Sequence, residues 1–309
     1  MLELDSLDAV SIATPPYLHC PMTIVALEAG KHVLCEKPMA LNFEEAEKMY
    51  QKAENSKLVH MINHEFRFFP SRVRMKELID EGYLGRLYSV HSSTFYGPQN
   101  GGSYDCATVA RLWNWWSDKS QGGGLLGALG SHVIDTIRYW FGEIAGVYGQ
   151  LETIAKSRKV DGSEEVKSVT SDDAFAFIFR LESGVLGTVI ASSAARLACG
   201  APGMSSFEAY GSEGSLFLRS DGVLKGGRRG DSKAIDLLIP ERLRLPRIKG
   251  HLLLPPFMLL LQEFVRGIKE GKKVVPNFYD GIKHQELINA IHLSQRKGRW
   301  VPLPLKMYR

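Results

Sequence analysis

The sequence has few cysteines, and none of them are paired. The four thiols, Cys20, Cys35, Cys106 and Cys199, lie far apart and form no C-x-x-C pair. Disulfide scaffolds and zinc sites need closely spaced cysteines, so the sequence predicts neither a disulfide framework nor a metal site. We expect the thiols to be reduced.

Long hydrophobic runs are also lacking. No apolar segment reaches the roughly 20 residues that a bilayer crossing needs, and no signal-peptide core follows Met1. We therefore expect a cytoplasmic protein without a membrane partner. The net charge is only +4 over 309 residues, and the basic runs carry no interleaved aromatic residues, so no nucleic-acid partner is expected.

Hydrophobic patterning predicts an α/β arrangement in residues 1–84. Short apolar runs predict parallel strands at 10–13, 32–35 and 58–63, and helices are expected at about 21–29, 42–54 and 71–82. Asn42, followed by Glu45 three positions later, is typical of a helix cap. In such open parallel sheets, ligands bind at the carboxyl ends of the strands.

The character of the sequence changes after residue 84. Segments rich in Val, Phe, Thr and Tyr predict strands at 87–95, 174–180, 185–191 and 206–210, and two helices, at about 257–269 and 279–297, close the chain. We expect a second domain, 85–309, with a mostly antiparallel open sheet backed by helices. In the strand at 174–179 the odd positions are Phe and the even ones Ala, Ala and Ile, so both faces are apolar. This favours a homo-oligomer that covers one face of the sheet.

A lysine stands at the predicted mouth of the second strand, in Glu36-Lys37-Pro38. A lysine there can hydrogen-bond a substrate hydroxyl group and help to remove its proton. From position alone, a surface lysine at a strand end is an equally good interpretation.

The second candidate is His132, at the start of a predicted helix that runs to Phe141. An imidazole can shuttle a proton near neutral pH, although packing within the helix is the structural alternative. The preceding segment, 122–127, matches G-x-G-x-x-G as a string, but a polar loop rather than a strand comes before it. We therefore do not expect it to hold a dinucleotide phosphate.

Two stretches, "AVSIATPPYLHCPMTIVALEAGKHVLCEKP" and "GGGLLGALGSHVIDTIRYWFG", resemble signatures of the Gfo/Idh/MocA family of NAD(P)-dependent oxidoreductases. The resemblance implies a Rossmann-type first domain and hydride transfer between NAD or NADP and a secondary hydroxyl of a sugar, polyol or related compound. It implies proton transfer by Lys37 and His132. The implied cofactor-binding residues are Thr14, Pro15, Pro16, His19, Glu36, Lys37 and Pro38.

The chain departs from the family pattern in two places. Family members carry a strand, a glycine-rich turn and a helix ahead of the strand that begins here near Asp8, so we expect impaired NAD(P) binding by these 309 residues. Many members also carry an aspartate four positions before the histidine, where this chain has Ala128. Two alternatives stay open: a truncated or non-catalytic relative that acts as a ligand- or protein-binding regulator, and a natural protein that starts earlier.

Three further residues are weaker candidates. Arg67, after the third strand, can bind a substrate or pair with an acid between the domains, and Trp116 can stack on a sugar or pack in the core. Asp135, one helical turn after His132, can orient the imidazole or carry an ordinary helix charge. Six other histidines lack ligand spacing and are interpreted as structural; they are His60, His64, His91, His251, His284 and His292.

Overall fold

The computed structural model describes residues 1–96, 112–195, 204–245 and 252–305. The first part of the chain forms the predicted parallel sheet, with strand order β1-β2-β3. These strands are Ala9–Ile12, His32–Cys35 and His60–Ile62. The helices between and after them are α1, His19–Glu28, α2, Phe43–Ser56, and α3, Pro70–Asp80.

The start of α2 shows how a local signal fixes an element. The Asn42 Oδ1 atom accepts a hydrogen bond from the Glu45 backbone N–H at 2.8 Å, as the capping pattern predicts. The Glu45 carboxylate accepts from Leu41 N–H rather than from Asn42, so the reciprocal half of a capping box is displaced by one residue. A cap of this kind stabilises a helix by about 1 kcal/mol.

The second part of the chain is built on a nine-stranded mixed sheet with order β13-β12-β11-β10-β4-β9-β8-β5-β14. Its pairs are antiparallel except β4 with β9, which confirms the predicted mostly antiparallel sheet. Strands β6 and β7 form a separate hairpin. Strands β4–β14 span Leu87–Phe95, Ile144–Glu152, Ser157–Lys159, Val166–Ser168, Ala174–Leu181, Leu186–Ser192, Ser206–Gly211, Gly214–Leu218, Leu224–Arg228, Ile235–Asp236 and Val301–Pro302.

Alternation along β8 decides which face of the large sheet is core. The three phenylalanines at 175, 177 and 179 are buried, whereas Ile178 on the opposite face is 45% exposed. Ile190 of the neighbouring strand β9 is 46% exposed. Thr188 and Arg180 lie among these apolar groups, so the open face is mixed rather than wholly apolar.

The other α-helices of the described residues are α4, Ser131–Phe141, α5, Leu254–Glu270, and α6, Phe278–Lys297. On α5, Leu260 and Phe264 pack on the first sheet against Leu34 and Met61. One end of α6 joins the core of the first sheet, and the middle of the helix joins the core of the second. The domain boundary at residue 84 stays a prediction.

Two other sequence expectations concern thiols and membranes. Cys20 and Cys35 are free and buried, while Cys106 and Cys199 lie outside the described residues. Among the helices of the described ranges, none combines the length and apolarity needed to cross a bilayer.

Candidate active site at the carboxyl ends of the parallel strands

Lys37 lies two residues after the end of β2 and extends toward the second part of the chain. Its ammonium group donates a hydrogen bond to the Ala128 carbonyl oxygen at 3.3 Å. The neighbouring Glu36 carboxylate accepts from Asn63 Nδ2 at 2.5 Å and from the Lys37 backbone N–H at 3.2 Å. The ends of β2 and β3 are thereby joined beside the lysine.

His19 holds two backbone segments of the predicted cofactor loop together. Its Nδ1 atom lies 2.9 Å from the Pro38 carbonyl oxygen, and its Nε2 atom lies 2.8 Å from that of Thr14. The ring is fully buried, and burial lowers the pKa of His19. It therefore fixes the loops of Thr14 and Pro38 rather than presenting a free imidazole. Pro15 lies in the same turn, ahead of a short helix that begins at Pro16.

The glycine triplet lies against these same loops. A β-carbon at Gly122 would collide with Pro16, one at Gly127 would come within 3.3 Å of Pro38, and one at Gly123 would overlap the Trp116 carbonyl. The triplet follows a short helical turn, Lys119–Gln121, and not a strand. The small residues thus allow the segment that leads to α4 to approach the strand ends closely.

His132 is the second residue of α4, which begins directly after a π-helical turn at Leu126–Gly130. Its ring stacks on Phe66, with centroids 3.9 Å apart, and its Nδ1 atom is 3.3 Å from His64 Nδ1. The side chain is 3% exposed. Burial, and then the charge of Lys37, hold the pKa of His132 well below its usual range, so the imidazole is neutral near pH 7.

Sequence reasoning missed Glu65. Its Oε2 atom lies 4.0 Å from His132 Nε2 and, within the described part of the chain, has no hydrogen-bond partner. Burial raises the pKa of Glu65 to about 7, although the Lys37 charge acts in the opposite direction. Its position directly after a buried strand, where open sheets bind ligands, was the available signal.

Arg67 is placed in an ion-pair network. Its Nε and Nη2 atoms donate to the two Asp135 oxygens at 2.8 and 2.6 Å, and Nη2 also donates to Asp280 at 2.9 Å. Burial alone would raise the pKa of Asp135, but Arg67 outweighs it and holds that pKa well below its usual range. Of the two interpretations of Arg67, the structure shows the pairing with acids. Asp135 binds Arg67 rather than His132, so its suggested role in orienting that ring is wrong.

Two histidines interpreted as structural also lie here. His64, Asp135 and His284 place ligand-type atoms within 4.8 Å of one another, in a buried cluster. Two guanidinium groups contact members of this cluster. Arg67 binds Asp135, and Arg138 Nη1 lies 3.1 Å from His284 Nε2. Positive groups so close oppose a metal ion, and the cluster is better described as part of the ion-pair network.

Trp116 lies in a short helical turn, Trp115–Ser117, before the glycine triplet. Its ring is half-buried and lies 5.7 Å from that of Trp115. Its carbonyl oxygen accepts a hydrogen bond from Ser171. Contact between Trp116 and a substrate stays a prediction.

The strand ends carry buried acceptors with unused hydrogen-bonding capacity. Asn63 Oδ1 and Glu65 Oε2 are buried acceptors that lack a partner among the described residues. Buried acceptors of this kind are rare in proteins unless a ligand or water satisfies them. With Lys37 as donor and His132 neutral, the site can bind a polar group and move a proton.

Two models of protein families match parts of the chain. A model described as an oxidoreductase family with an NAD-binding Rossmann fold (GFO_IDH_MocA) matches residues 1–64, and one described as a GFO/IDH/MocA C-terminal domain matches residues 73–217.

Two relatives cover nearly the whole chain. Levoglucosan dehydrogenase from Pseudarthrobacter phenanthrenivorans is 31% identical, over 98% of this chain and 82% of the relative. An oxidoreductase of Synechocystis, sll0816, is also 31% identical, over 98% and 81%. A solved levoglucosan dehydrogenase in complex with NADH and levoglucosan superposes with a TM-score of 0.86 at 29% identity, over 98% of this chain and 82% of that one.

Proposed function

The chain belongs to the Gfo/Idh/MocA family of NAD-dependent oxidoreductases, and on that basis we propose that it oxidises a secondary hydroxyl group of a sugar, polyol or related compound. The observation that carries this proposal is the hydrogen bond from the Lys37 ammonium group to the Ala128 carbonyl oxygen, four residues before His132. It brings the two groups suited to proton transfer to one edge of the parallel sheet. The levoglucosan dehydrogenase relatives support a sugar-like substrate.

In this proposal the cofactor accepts the hydride, and the protein orients the reactants and moves the proton. Lys37 donates a hydrogen bond to the reacting hydroxyl group, and neutral His132 receives its proton. The nicotinamide end of a bound NAD would lie against Thr14, Pro15, Pro16 and the backbone at Pro38. His19 fixes the Thr14 and Pro38 segments through their carbonyl oxygens.

Glu36 and Asn63, which are hydrogen-bonded to each other, would form a polar wall beside a bound nicotinamide. Arg67 could bind a substrate only if its hydrogen bonds to Asp135 and Asp280 broke. We therefore propose that Arg67 stabilises the site through these ion pairs and does not contact the substrate. Trp116 is proposed to border the sugar.

Within the residues that the structure describes, no strand is followed by a glycine-rich turn and a helix, the unit whose backbone N–H groups bind a pyrophosphate. The chain spans about 81–82% of the length of the two relatives. The same unit carries the residue that selects NAD or NADP, so we leave NADP as an equal candidate.

The test is an oxidation assay with millimolar NAD or NADP and a panel of secondary alcohols that includes levoglucosan, read as NADH or NADPH absorbance. We expect measurable turnover of at least one cyclic polyol or sugar. If no alcohol is turned over but calorimetry shows that at least one of these compounds binds, the second candidate function is favoured.

That second candidate is a ligand-binding regulator, favoured by Ala128 in place of the family's aspartate. It predicts sugar binding without hydride transfer. Assembly and location are further proposals: exposed Ile178 and Ile190 favour a homo-oligomer through the large sheet, and the free thiols Cys20 and Cys35 favour the cytoplasm.

A further inference from the structure

Position 128 brings a backbone carbonyl but no ionisable side chain to the site. Ala128 lies in the π-helical turn before α4, and its carbonyl oxygen receives the Lys37 hydrogen bond. The methyl group is 8% exposed and can neither accept nor donate a proton. In the proposed dehydrogenase, another group must therefore take the alcohol's proton on from His132.

The carboxylates around His132 differ in how far they are already engaged. Asp135 binds Arg67 through both oxygens and lies 3.1 Å from His284. Glu36 binds Asn63 and a backbone N–H. Glu65 Oε2, by contrast, is buried, lies 4.0 Å from His132 Nε2 and has no partner among the residues described.

The ring orientation of His132 suits transfer toward Glu65. Its Nδ1 atom faces His64 Nδ1, and if the proton of that contact is on His132, the lone pair is on Nε2, toward Glu65. Phe66 holds the ring plane by stacking on it. A separation of 4.0 Å must close by about 1 Å to form a hydrogen bond, and catalytic contacts are often long before substrate binds.

Building on the proposed function, we propose that Glu65 supplies the carboxylate that position 128 lacks, as the positioning residue and proton acceptor behind His132. The O–H bond of the alcohol breaks and its proton passes to His132 Nε2, while the C–H electron pair leaves as hydride to the nicotinamide. After the carbonyl product has formed, the Glu65 carboxylate closes on the same Nε2 atom and takes this proton, so that Glu65 is protonated and His132 is neutral again.

The environment favours this direction of transfer. Burial lowers the pKa of His132, and the charges of Lys37 and Arg72 lower it further, together with that of His64 and against that of Asp135. Burial raises the pKa of Glu65 to about 7, with a contribution from Glu36 and against the charges of Lys37 and Arg72. A proton placed on the imidazole therefore moves readily to the carboxylate. A carboxyl group that titrates near neutral pH can also release the proton again at the end of each turnover.

The first test needs no turnover. Infrared difference spectra of the chain between about pH 6 and pH 8 should show a protonated-carboxyl band that disappears as the pH rises. Glu65→Gln should remove the component of this band whose midpoint lies near pH 7, and it should leave the component of buried Asp172, whose pKa is raised to about 6. Glu54→Gln is the matched control, because Glu54 lies 3.2 Å from buried His60 at the opposite end of β3, and it should leave the band unchanged.

Coupling of Glu65 to His132 is read from the His132 ring resonances. In the wild-type chain they should shift with an inflection near pH 7, and Glu65→Gln should remove that inflection. A component with a midpoint near pH 7 that survives in Glu65→Gln, or His132 resonances that show no inflection near pH 7 in the wild type, would overturn the inference whether or not a reacting alcohol has been found.

The kinetic test uses levoglucosan as the probe alcohol with millimolar NAD. Glu65→Gln should lower kcat about 100-fold and remove the rise in kcat through pH 7. Adding Ala128→Asp to this variant should recover at least about tenfold, since it returns a carboxylate to the family's position. Loss of kcat without any change in its pH profile, or without rescue, would indicate a structural role and contradict the inference.

Failure of this inference and failure of the proposed function give different results. If Lys37→Met and His132→Gln lose turnover while Glu65→Gln keeps it, the inference is wrong and the dehydrogenase proposal stands. If all three variants keep wild-type turnover, the proposed roles of Lys37 and His132 are wrong as well.

Discussion

Arg67 and Asp135 form a two-pronged ion pair, with N–O distances of 2.8 and 2.6 Å, that ties the segment after β3 to helix α4. Both side chains are nearly inaccessible, at 9% and 1% exposure. Asp280 from α6 adds a third hydrogen bond. The pair therefore fixes the helix that carries His132 relative to the strand ends that carry Lys37.

Removing one partner of this pair should be costly. Asp135→Asn leaves the Arg67 charge buried with only Asp280 beside it, and we expect a loss of about 3 kcal/mol in the free energy of unfolding, measured by urea denaturation. The control is Asp80→Asn, which breaks the exposed Lys76–Asp80 pair on α3 and should cost no more than about 0.5 kcal/mol. Equal small losses in both variants would contradict the structural role of the pair.

Stability should fall as the solution is acidified below about pH 6.5. Burial lowers the pKa of His64, His132 and His284, so the unfolded chain binds protons that the folded chain does not. Each such group lowers the free energy of unfolding by up to about 1.4 kcal/mol per pH unit. Glu65 and Asp172, with pKa values raised to about 7 and about 6, act in the opposite sense but are fewer.

This pH dependence is measured by urea denaturation at pH 7, 6 and 5. His132→Gln should make the decline shallower, and Glu65→Gln should make it steeper. A free energy of unfolding that does not change over this range would show that these histidines are not held neutral.

The close approach of the glycine triplet to its neighbours should be sensitive to one methyl group. In Gly123→Ala the new β-carbon overlaps the Trp116 carbonyl, so we expect a loss of about 1–3 kcal/mol in unfolding free energy and weaker substrate binding. In the control Gly227→Ala, on β12, the nearest atom lies 3.5 Å away, and little change is expected. The melting temperatures of both variants are measured by calorimetry. Equal melting temperatures in the two variants would contradict tight packing at Gly123.

The open face of the large sheet is expected to mediate self-association. Ile178→Glu places a charge among the exposed apolar groups of β8 and β9, and light scattering at tens of micromolar should then show a smaller particle than for the wild type. Ser11→Glu, at an exposed position of strand β1, is the control and should leave the particle size unchanged. A wild-type monomer would refute the interface.

Local patterns predicted the elements well because their signals are short-range. The strand 87–95 and the helix after Asn42 follow from β-branched content and a capping residue, both of which act within a few positions. The parallel order of β1–β3 follows from helices between apolar runs.

The site was predicted only in part because much of it depends on long-range contacts. Lys37 and His132 stand in recognisable motifs, but Asp280 and His284 reach the site from a helix more than 140 residues beyond Asp135. Glu65 was missed because its proposed role depends on a buried carboxylate oxygen that has no hydrogen-bond partner among the described residues. An unpartnered buried oxygen cannot be read from sequence spacing.

The most direct test of the account compares two lysines at opposite ends of β2. Lys37→Met removes the amine beside Ala128, and Lys31→Met removes one that binds the Leu4 carbonyl before the strand begins. With millimolar NAD and an alcohol that the wild type oxidises, we predict that Lys37→Met lowers kcat by about 10² to 10⁴ while Lys31→Met keeps wild-type turnover. Equal turnover in the two variants would contradict the assignment of the active site to the carboxyl ends of these strands.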